Sequence, residues 1–221
     1  MSDLPFVLAA PLAEQLGRVL DTEGKLARAL EALGPVADRD VALLDAAGSR
    51  VAAELDAKGA RVVHAPLEQP FRLPFGEASM DVVVSLWSGF RGVNTEELAE
   101  TDRVLRPGGR LLVVHDYGRD DVSRLRGEAP EYGPWSRRDG PFLRGGFKIR
   151  VVHCWWTFAT VDKARTFLDE AFGSAGAEIG AELKRPRLSW NVAVYHRARG
   201  GEAGSEAVGE AGSEAGGEAG D

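Results

Sequence analysis

Short apolar runs that alternate with segments of helical periodicity restrict the fold of this chain more than any other feature. Val41–Leu44, Asp81–Ser85 and Arg110–His115 are continuously apolar in their centres, as expected for strands that are covered on both faces. Between the last two runs, Leu98 and Leu105 mark one side of a helix. Strands separated by helices are typical of βαβ units. The sequence therefore predicts an α/β fold with a doubly wound, mostly parallel sheet.

The remaining apolar patterns complete a sheet of seven strands. Further strands are predicted at Gly17–Asp21, Arg61–His64, Phe147–Phe158 and Leu188–His196. Residues 117–146 interrupt the alternation of strand and helix patterns, because they are rich in glycine, proline and charged residues. We expect an insertion or lid there, with one short helix near Val122–Arg126.

The net charge of −7 belongs mainly to the end of the chain. From Gly200 onward the sequence repeats glycine, glutamate, alanine and serine with a period of eight, and it contains acidic but no basic residues. Such a segment cannot bury enough apolar surface to fold by itself. We therefore expect a folded domain at residues 1–199 and a disordered acidic tail at residues 200–221. A tail that docks on a basic partner is the alternative.

Composition also argues against several classes of protein. The nearly neutral domain offers no phosphate-binding surface, which argues against a nucleic-acid partner. No run approaches the roughly 20 apolar residues of a membrane-spanning helix, and no basic residue precedes Arg18 as a signal peptide would require. The single cysteine, Cys154, allows no internal disulfide, and the scattered histidines indicate no metal site. We expect a cytoplasmic protein without a membrane partner.

Two segments give the sequence a family resemblance. Leu73–Ser85 (LPFGEASMDVVVS) and Glu100–Val114 (ETDRVLRPGGRLLVV) resemble the turn, strand, helix and Pro-Gly-Gly segments of class I S-adenosylmethionine-dependent methyltransferases of the type 11 kind. The likeness extends from about residue 17 to residue 197. It implies a Rossmann-like sheet with an antiparallel final strand, and methyl transfer from S-adenosylmethionine to a small-molecule acceptor. A methyltransferase-like scaffold or regulatory protein that has lost the cofactor is the alternative.

The resemblance implies that the glycine-rich cofactor loop lies at Asp21–Gly24. Glycines in this loop let backbone amides approach the cofactor closely. Here only Gly24 remains, and Glu23 adds a negative charge. In the alternative, Asp21 merely caps the helix that follows. A second register, with the glycine-rich loop at Asp45–Ser49, is set aside because it leaves no room for a further helix and strand before Leu73.

Three more cofactor contacts follow from the resemblance. Asp45 is expected to accept hydrogen bonds from both ribose hydroxyls, because one carboxylate has two oxygens for two adjacent donors. Glu68 or Gln69 would receive the adenine amino group, and Ser85 ends the strand beside the cofactor. The alternatives are a helix cap at Asp45 and a solvated side chain at Glu68.

The acceptor side of the site is less defined by the sequence. Trp87 and Phe90 follow the Asp81–Ser85 strand and would form the wall of a substrate site, although packing in the core or a lid is the alternative. Orientation of donor and acceptor can supply much of the catalysis of methyl transfer, and the catalytic residue is unassigned. If a general base exists, the candidates are His115, Asp116 and Tyr117, at the end of the Arg110–His115 strand.

Overall fold

A six-stranded mixed sheet organises the described part of the chain. The computed structural model describes residues 4–45, 50–67, 71–126 and 132–201. The strands are β1 (Asp40–Leu44), β2 (Arg61–Ala65), β3 (Met80–Leu86), β4 (Leu105–Asp116), β5 (Lys148–Thr157) and β6 (Arg187–Ala198). The helices are α1 (Ala10–Val19), α2 (Lys25–Leu33), α3 (Arg50–Asp56), α4 (Thr95–Val104), α5 (Asp121–Leu125), α6 (Tyr132–Trp135), α7 (Pro141–Arg144) and α8 (Val161–Glu182).

The strand order confirms the predicted fold class. The order is β2-β1-β3-β4-β6-β5. β1 is parallel to β2 and β3, β3 is parallel to β4, and β6 runs antiparallel to both β4 and β5. The sheet is thus Rossmann-like and mostly parallel, and its final strand is the reversed one. The predicted count of seven strands is wrong for the described residues, which form six.

The strand predicted at Gly17–Asp21 is the one that is missing. Residues up to Val19 belong to α1, and Leu20 forms only an isolated bridge with Trp156 at the far edge of the sheet. The apolar residues of this segment are spaced as in a helix. Ala13 and Leu16 are the buried positions of α1, and Leu20 continues the same face one turn later. β1 and β3 pair directly with each other, so no strand lies between them.

Because Gly17–Asp21 forms no strand, the turn at the centre of the sheet is a different one from the turn predicted. β1 is the first strand in the chain, with β2 on one side and β3 on the other. The direction of winding therefore reverses between β1 and β3, and ligands of open α/β sheets bind at the carboxyl ends of strands at this switch point. The segment that begins at Asp45 follows β1, so the sheet adopts the register that the sequence argument set aside. Residues 46–49 of this turn lie outside the described residues.

The 117–146 segment packs partly into the core. Its first helix, α5, confirms the helix predicted near Val122–Arg126, and a capping box between Asp120 and Ser123 starts it. Further along, Trp135 and Phe142 are buried. Phe142 stacks on Tyr195 of β6 with ring centroids 3.8 Å apart. The two aromatic residues thus attach this segment to one face of the sheet.

Two findings concern the rest of the chain. Within residues 4–45, 50–67, 71–126 and 132–201, no helix has the length and apolar character needed to cross a membrane. The tail predicted at residues 200–221 lies outside the described residues from position 202 onward.

Candidate active site at the switch point

A small cavity lies at the carboxyl edge of the sheet, beside the switch point. It has a volume of about 60 Å³, which is room for a few water molecules. Its lining combines the α1–α2 turn, the start of α3 and two tryptophans: Leu4, Gly17, Leu20, Asp21, Leu26, Arg50, Val51, Glu54, Trp87 and Trp190. Of the residues chosen from the sequence, the structure brings Asp21 and Trp87 together here.

Asp21 is engaged with the helix that follows it. Its Oδ2 accepts a hydrogen bond of 2.6 Å from the Leu26 amide at the start of α2, and its Oδ1 is buried without a hydrogen-bond partner among the described residues. Asp21 has φ of 37° and Gly24, the N-cap of α2, has φ of 65°. These left-handed conformations fold the turn tightly against α2, and Gly24 suits its position because it has no Cβ. The capping geometry weighed in the sequence argument is therefore present at Asp21.

Asp45 lies at the switch point with its side chain exposed. It follows Leu44, which is in register with Ser85 of β3. Its amide donates to the carbonyl of Ala65, at 2.7 Å, and its φ is 53°. Aspartate tolerates the left-handed region better than most residues. Glu68 and Gln69, the candidate adenine contacts, lie outside the described residues.

The turn after β3 is held by side-chain hydrogen bonds and positive φ angles. The buried Ser85 Oγ accepts from the Gly89 amide at 3.0 Å and lies 3.3 Å from Ser88 Oγ. Trp87 and Phe90 have φ of 53° and 60°, which are unfavourable for bulky residues and often accompany functional turns. Phe90 is fully buried and packs edge-to-face on Phe71. Of the two aromatic residues, only Trp87 lines the cavity.

A buried carboxylate fixes Trp87, a role that the sequence did not predict for it. Asp116, the last residue of β4, is only 4% exposed. Its Oδ1 accepts a hydrogen bond of 3.1 Å from the indole N–H of both Trp87 and Trp190, whose rings stack 5.5 Å apart. Its Oδ2 pairs with Arg126. Burial raises the pKa of Asp116, and Arg126 opposes that shift. The sequence signal for this role was a charged residue at the end of an apolar strand.

His115 lies on the opposite face of β4 from Asp116. Its Nε2 is 3.1 Å from the carbonyl oxygen of Gly89, and its ring packs against Trp135 and Phe142. Burial lowers the pKa of His115 to about 3. Tyr117 is half-buried and carries Arg119 over its ring. Neither of these candidate bases lines the cavity.

Acidification is expected to destabilise the protein through His115. The unfolded imidazole takes up a proton near pH 6.5 whereas the folded one stays neutral down to about pH 3, so stability is lost as the pH falls below 6.5. Between pH 7.5 and 4.5 the loss is about 2.5 kcal/mol. Urea unfolding of the wild type and of His115→Gln at both values measures it. Parallel pH dependence of the two proteins would contradict the neutral, buried histidine.

Comparison with known proteins finds a family likeness for part of the chain. Residues 18–113 match the family model described as a methyltransferase domain. That match extends from the end of α1 to β4 and includes the whole switch point. In these residues the chain is similar to methyltransferase domains.

Solved structures share the methyltransferase fold. A protein assigned as a methyltransferase of an antibiotic biosynthesis pathway in Anabaena variabilis is 12% identical, with a TM-score of 0.51 over 82% of this chain and 99% of that one. A protein assigned as a type II methyltransferase from Anaeromyxobacter dehalogenans is 19% identical, with a TM-score of 0.48 over 87% of this chain and 98% of that one. No curated protein matches the chain significantly.

The residues around the switch point fit one end of S-adenosylmethionine, the cofactor that the likeness implies, better than the other. The exposed Asp45 carboxylate suits two ribose hydroxyls. At the amino-acid end, the Leu26 amide already donates its hydrogen bond to Asp21. Arg50 donates hydrogen bonds to the Leu20 carbonyl and to Glu54. A cavity of about 60 Å³ is far below the several hundred Å³ of most ligand sites. Among the described residues, Asp45 is exposed at the switch point, whereas Asp21 and Arg50 are engaged within the protein.

Proposed function

We propose that this chain is an S-adenosylmethionine-dependent methyltransferase that acts on a small-molecule acceptor, with Asp45 as the ribose-binding residue. The observation that carries the proposal is the exposed Asp45 carboxylate at the switch point of a methyltransferase-family sheet. Ligands of open α/β sheets bind at this point. Ser85, buried directly below, would contribute by holding the turn after β3 through the Gly89 amide.

The described residues would act mainly by positioning. When bound, the cofactor supplies a methyl group on a sulfonium, which is already activated for transfer. Asp45 would fix the nucleoside through its two carboxylate oxygens. Trp87, held by Asp116, would keep water away from one wall and restrict the acceptor's orientation. His115 packs on the other face of β4 against Trp135 and Phe142 and does not line the cavity, so we assign it no proton transfer.

The narrow cavity favours a second candidate function. Arg50 ties the start of α3 to the α1–α2 segment, because its Nη1 donates to the Leu20 carbonyl at 2.9 Å. A methyltransferase-like scaffold or regulatory protein without cofactor would keep so small a cavity among these residues.

Titration calorimetry with S-adenosylhomocysteine separates the two candidates. A methyltransferase is expected to bind this product with a dissociation constant in the micromolar range, and Asp45→Asn is expected to weaken binding at least tenfold, or about 1.4 kcal/mol. Asparagine tolerates the positive φ of Asp45, so the variant keeps the backbone and removes the charge.

The control is Asp56→Asn, an exposed acid at the end of α3, which should bind like the wild type. An equal loss of affinity in both variants would mean that the net charge of the protein, and not Asp45, governs binding. If millimolar product gives neither heat nor thermal stabilisation of the wild type, the scaffold is the better description.

A further inference from the structure

A groove with basic walls lies between α2 and β5, on the face of the sheet that α2 covers. Its volume is about 420 Å³, and it runs between Arg28 on α2 and the Arg150–His153 segment of β5. None of the described residues that line it is acidic. Lys25, at one end, is paired with Glu23 at 2.9 Å. Arg28 and Arg150 are exposed and have no ion-pair partner within the described ranges, so the groove carries uncompensated positive charge.

Two more exposed cations extend this charge toward the end of β6. Lys148 lies two positions before Arg150, so both side chains belong to the same face of β5. Lys148 is in register with His196 of β6, and Arg110 of β4 is in register with the residue two positions after His196. Burial and the positive charges of Arg110, Lys148 and Arg150 lower the pKa of His196. These three cations therefore lie close to one side chain, and together with Arg28 they form what we call the basic strip.

The chain leaves the sheet beside this strip. β6 ends at Ala198, opposite Arg110. Residues 202–221, which lie outside the described residues, contain six acids and no base, with a glutamate at every fourth position from Glu202 to Glu218. In an extended chain, glutamates four positions apart are separated by about 13 Å. The strand from Lys148 to His153 is about 16 Å long, so two consecutive glutamates match the length of the groove.

A second groove with basic residues is the alternative docking place within the described ranges. This far groove has a volume of about 330 Å³, and Arg124 and Arg187 are among its bases. Asp121 and Glu182 line it as well, and Glu182 is paired with Arg124 at 2.8 Å. Arg187 begins β6 and Ala198 ends it, so about 36 Å of strand separates the far groove from the end of β6. Charge balance and distance both favour the basic strip.

We propose that residues 202–221 dock on the basic strip of their own chain, with their glutamates paired to its four cations. The inference does not depend on methyl transfer. Exposed ion pairs are individually weak and are screened by salt. Covalent attachment, however, raises the local concentration of the acidic segment to the millimolar range. Several pairs at once then keep the segment on the strip, although it needs no fold of its own.

A nitroxide spin label on Ser213→Cys of the full-length protein locates the segment, because the label broadens the NMR signals of nearby amides. The native Cys154 is buried and its thiol pKa is raised, so it should stay unlabelled. In low salt the amide signals of Lys148–His153 are expected to lose at least half of their intensity, whereas those of Lys184–Arg187 in the far groove keep theirs. About 0.5 M salt should restore the lost intensity. Absence of broadening in low salt, or equal broadening at both grooves, would overturn the proposal.

A neutral segment of the same length separates docking from mere attachment. This variant of the labelled protein carries glutamine at all five glutamates of residues 202–221 and asparagine at Asp221. Its label is expected to broaden Lys148–His153 at most half as strongly as the label on the charged segment. Equal broadening in the two proteins would overturn the proposal.

Two double variants locate the charges that hold the segment. Lys148→Gln with Arg150→Gln should abolish the salt-dependent broadening. Lys184→Gln with Arg185→Gln removes the same charge at exposed positions of the far groove and should leave the broadening unchanged. An equal reduction in both would mean that net charge, and not the basic strip, attracts the segment.

A mixed sample and a peptide identify the occupant of the strip. Isotope-labelled chains without nitroxide are mixed with unlabelled chains that carry it, and broadening in this sample would assign the strip to the acidic segment of a second copy. Hexaglutamate is then titrated into the wild type and the neutral-segment variant, without spin label. It is expected to shift the Lys148–His153 amides with at least threefold weaker affinity in the wild type, because the chain's own segment competes. Equal affinity would mean that the strip is open to acidic partners, and it would overturn docking by the chain's own segment.

Discussion

Replacing Asp116 by alanine is expected to lower the free energy of unfolding by about 3–5 kcal/mol, because the change leaves Arg126 without its buried ion-pair partner. The carboxylate is 4% exposed, and it also accepts both indole N–H groups of Trp87 and Trp190. Those donors would lose their only described acceptor, at a further cost. For a chain of this length the melting temperature should fall by roughly 10 °C.

Two further variants show whether this effect is specific to Asp116. Asp116→Asn keeps one acceptor oxygen for the indoles and should destabilise less than alanine does. Asp162→Ala removes a carboxylate that is 92% exposed and only distantly paired with Arg165, so its effect should stay within about 0.5 kcal/mol. Chemical denaturation of the three proteins provides the measurement. Equal stability of Asp116→Ala and Asp162→Ala would refute the buried network.

Replacing Phe142 by alanine is expected to destabilise the protein by about 3–5 kcal/mol. The ring is fully buried, stacks on Tyr195 at 3.8 Å and meets Phe147 edge-to-face at 5.2 Å. Truncation would leave a cavity among rings fixed by β5 and β6, which cannot easily collapse into it. The result tests whether the 117–146 segment is an integral part of the fold.

Leucine at the same position serves as the matched variant. Phe142→Leu keeps most of the apolar volume and should recover at least half of the loss caused by alanine. Differential scanning calorimetry of both variants measures the change. A melting temperature within about 2 °C of the wild type for Phe142→Ala would mean that the segment lies on the surface and contributes little.

The fold class could be derived from the sequence because it depends on local patterns. Runs such as Val41–Leu44 are too apolar for a half-exposed strand and too short for a helix, so they predict buried parallel strands. The antiparallel β6 followed from the family resemblance. The strand predicted at Gly17–Asp21 was wrong for the same local reason. A run of five residues fits a strand or the end of a helix equally well, and the tertiary packing of α1 decided between them.

The site depended on contacts that no local pattern contains. Trp87 and Trp190 are over one hundred positions apart, and they meet only because β4 and β6 are neighbours in the sheet. Asp21 and Trp87 share a cavity because α1 brings its carboxyl-terminal turn back across the sheet edge. Asp45, by contrast, follows a strand directly, so its position at the edge could be predicted. Its role in binding stays a prediction.

A crystal of the full-length protein soaked in S-adenosylhomocysteine tests the central claim most directly. The account predicts that both ribose hydroxyls lie within hydrogen-bonding distance of the Asp45 carboxylate, at the carboxyl ends of β1 and β3. The side chain of Arg50 should then have moved from the Leu20 carbonyl to admit the amino-acid end. A nucleoside bound away from Asp45, or a crevice still closed by Arg50 with no ligand density, would contradict it.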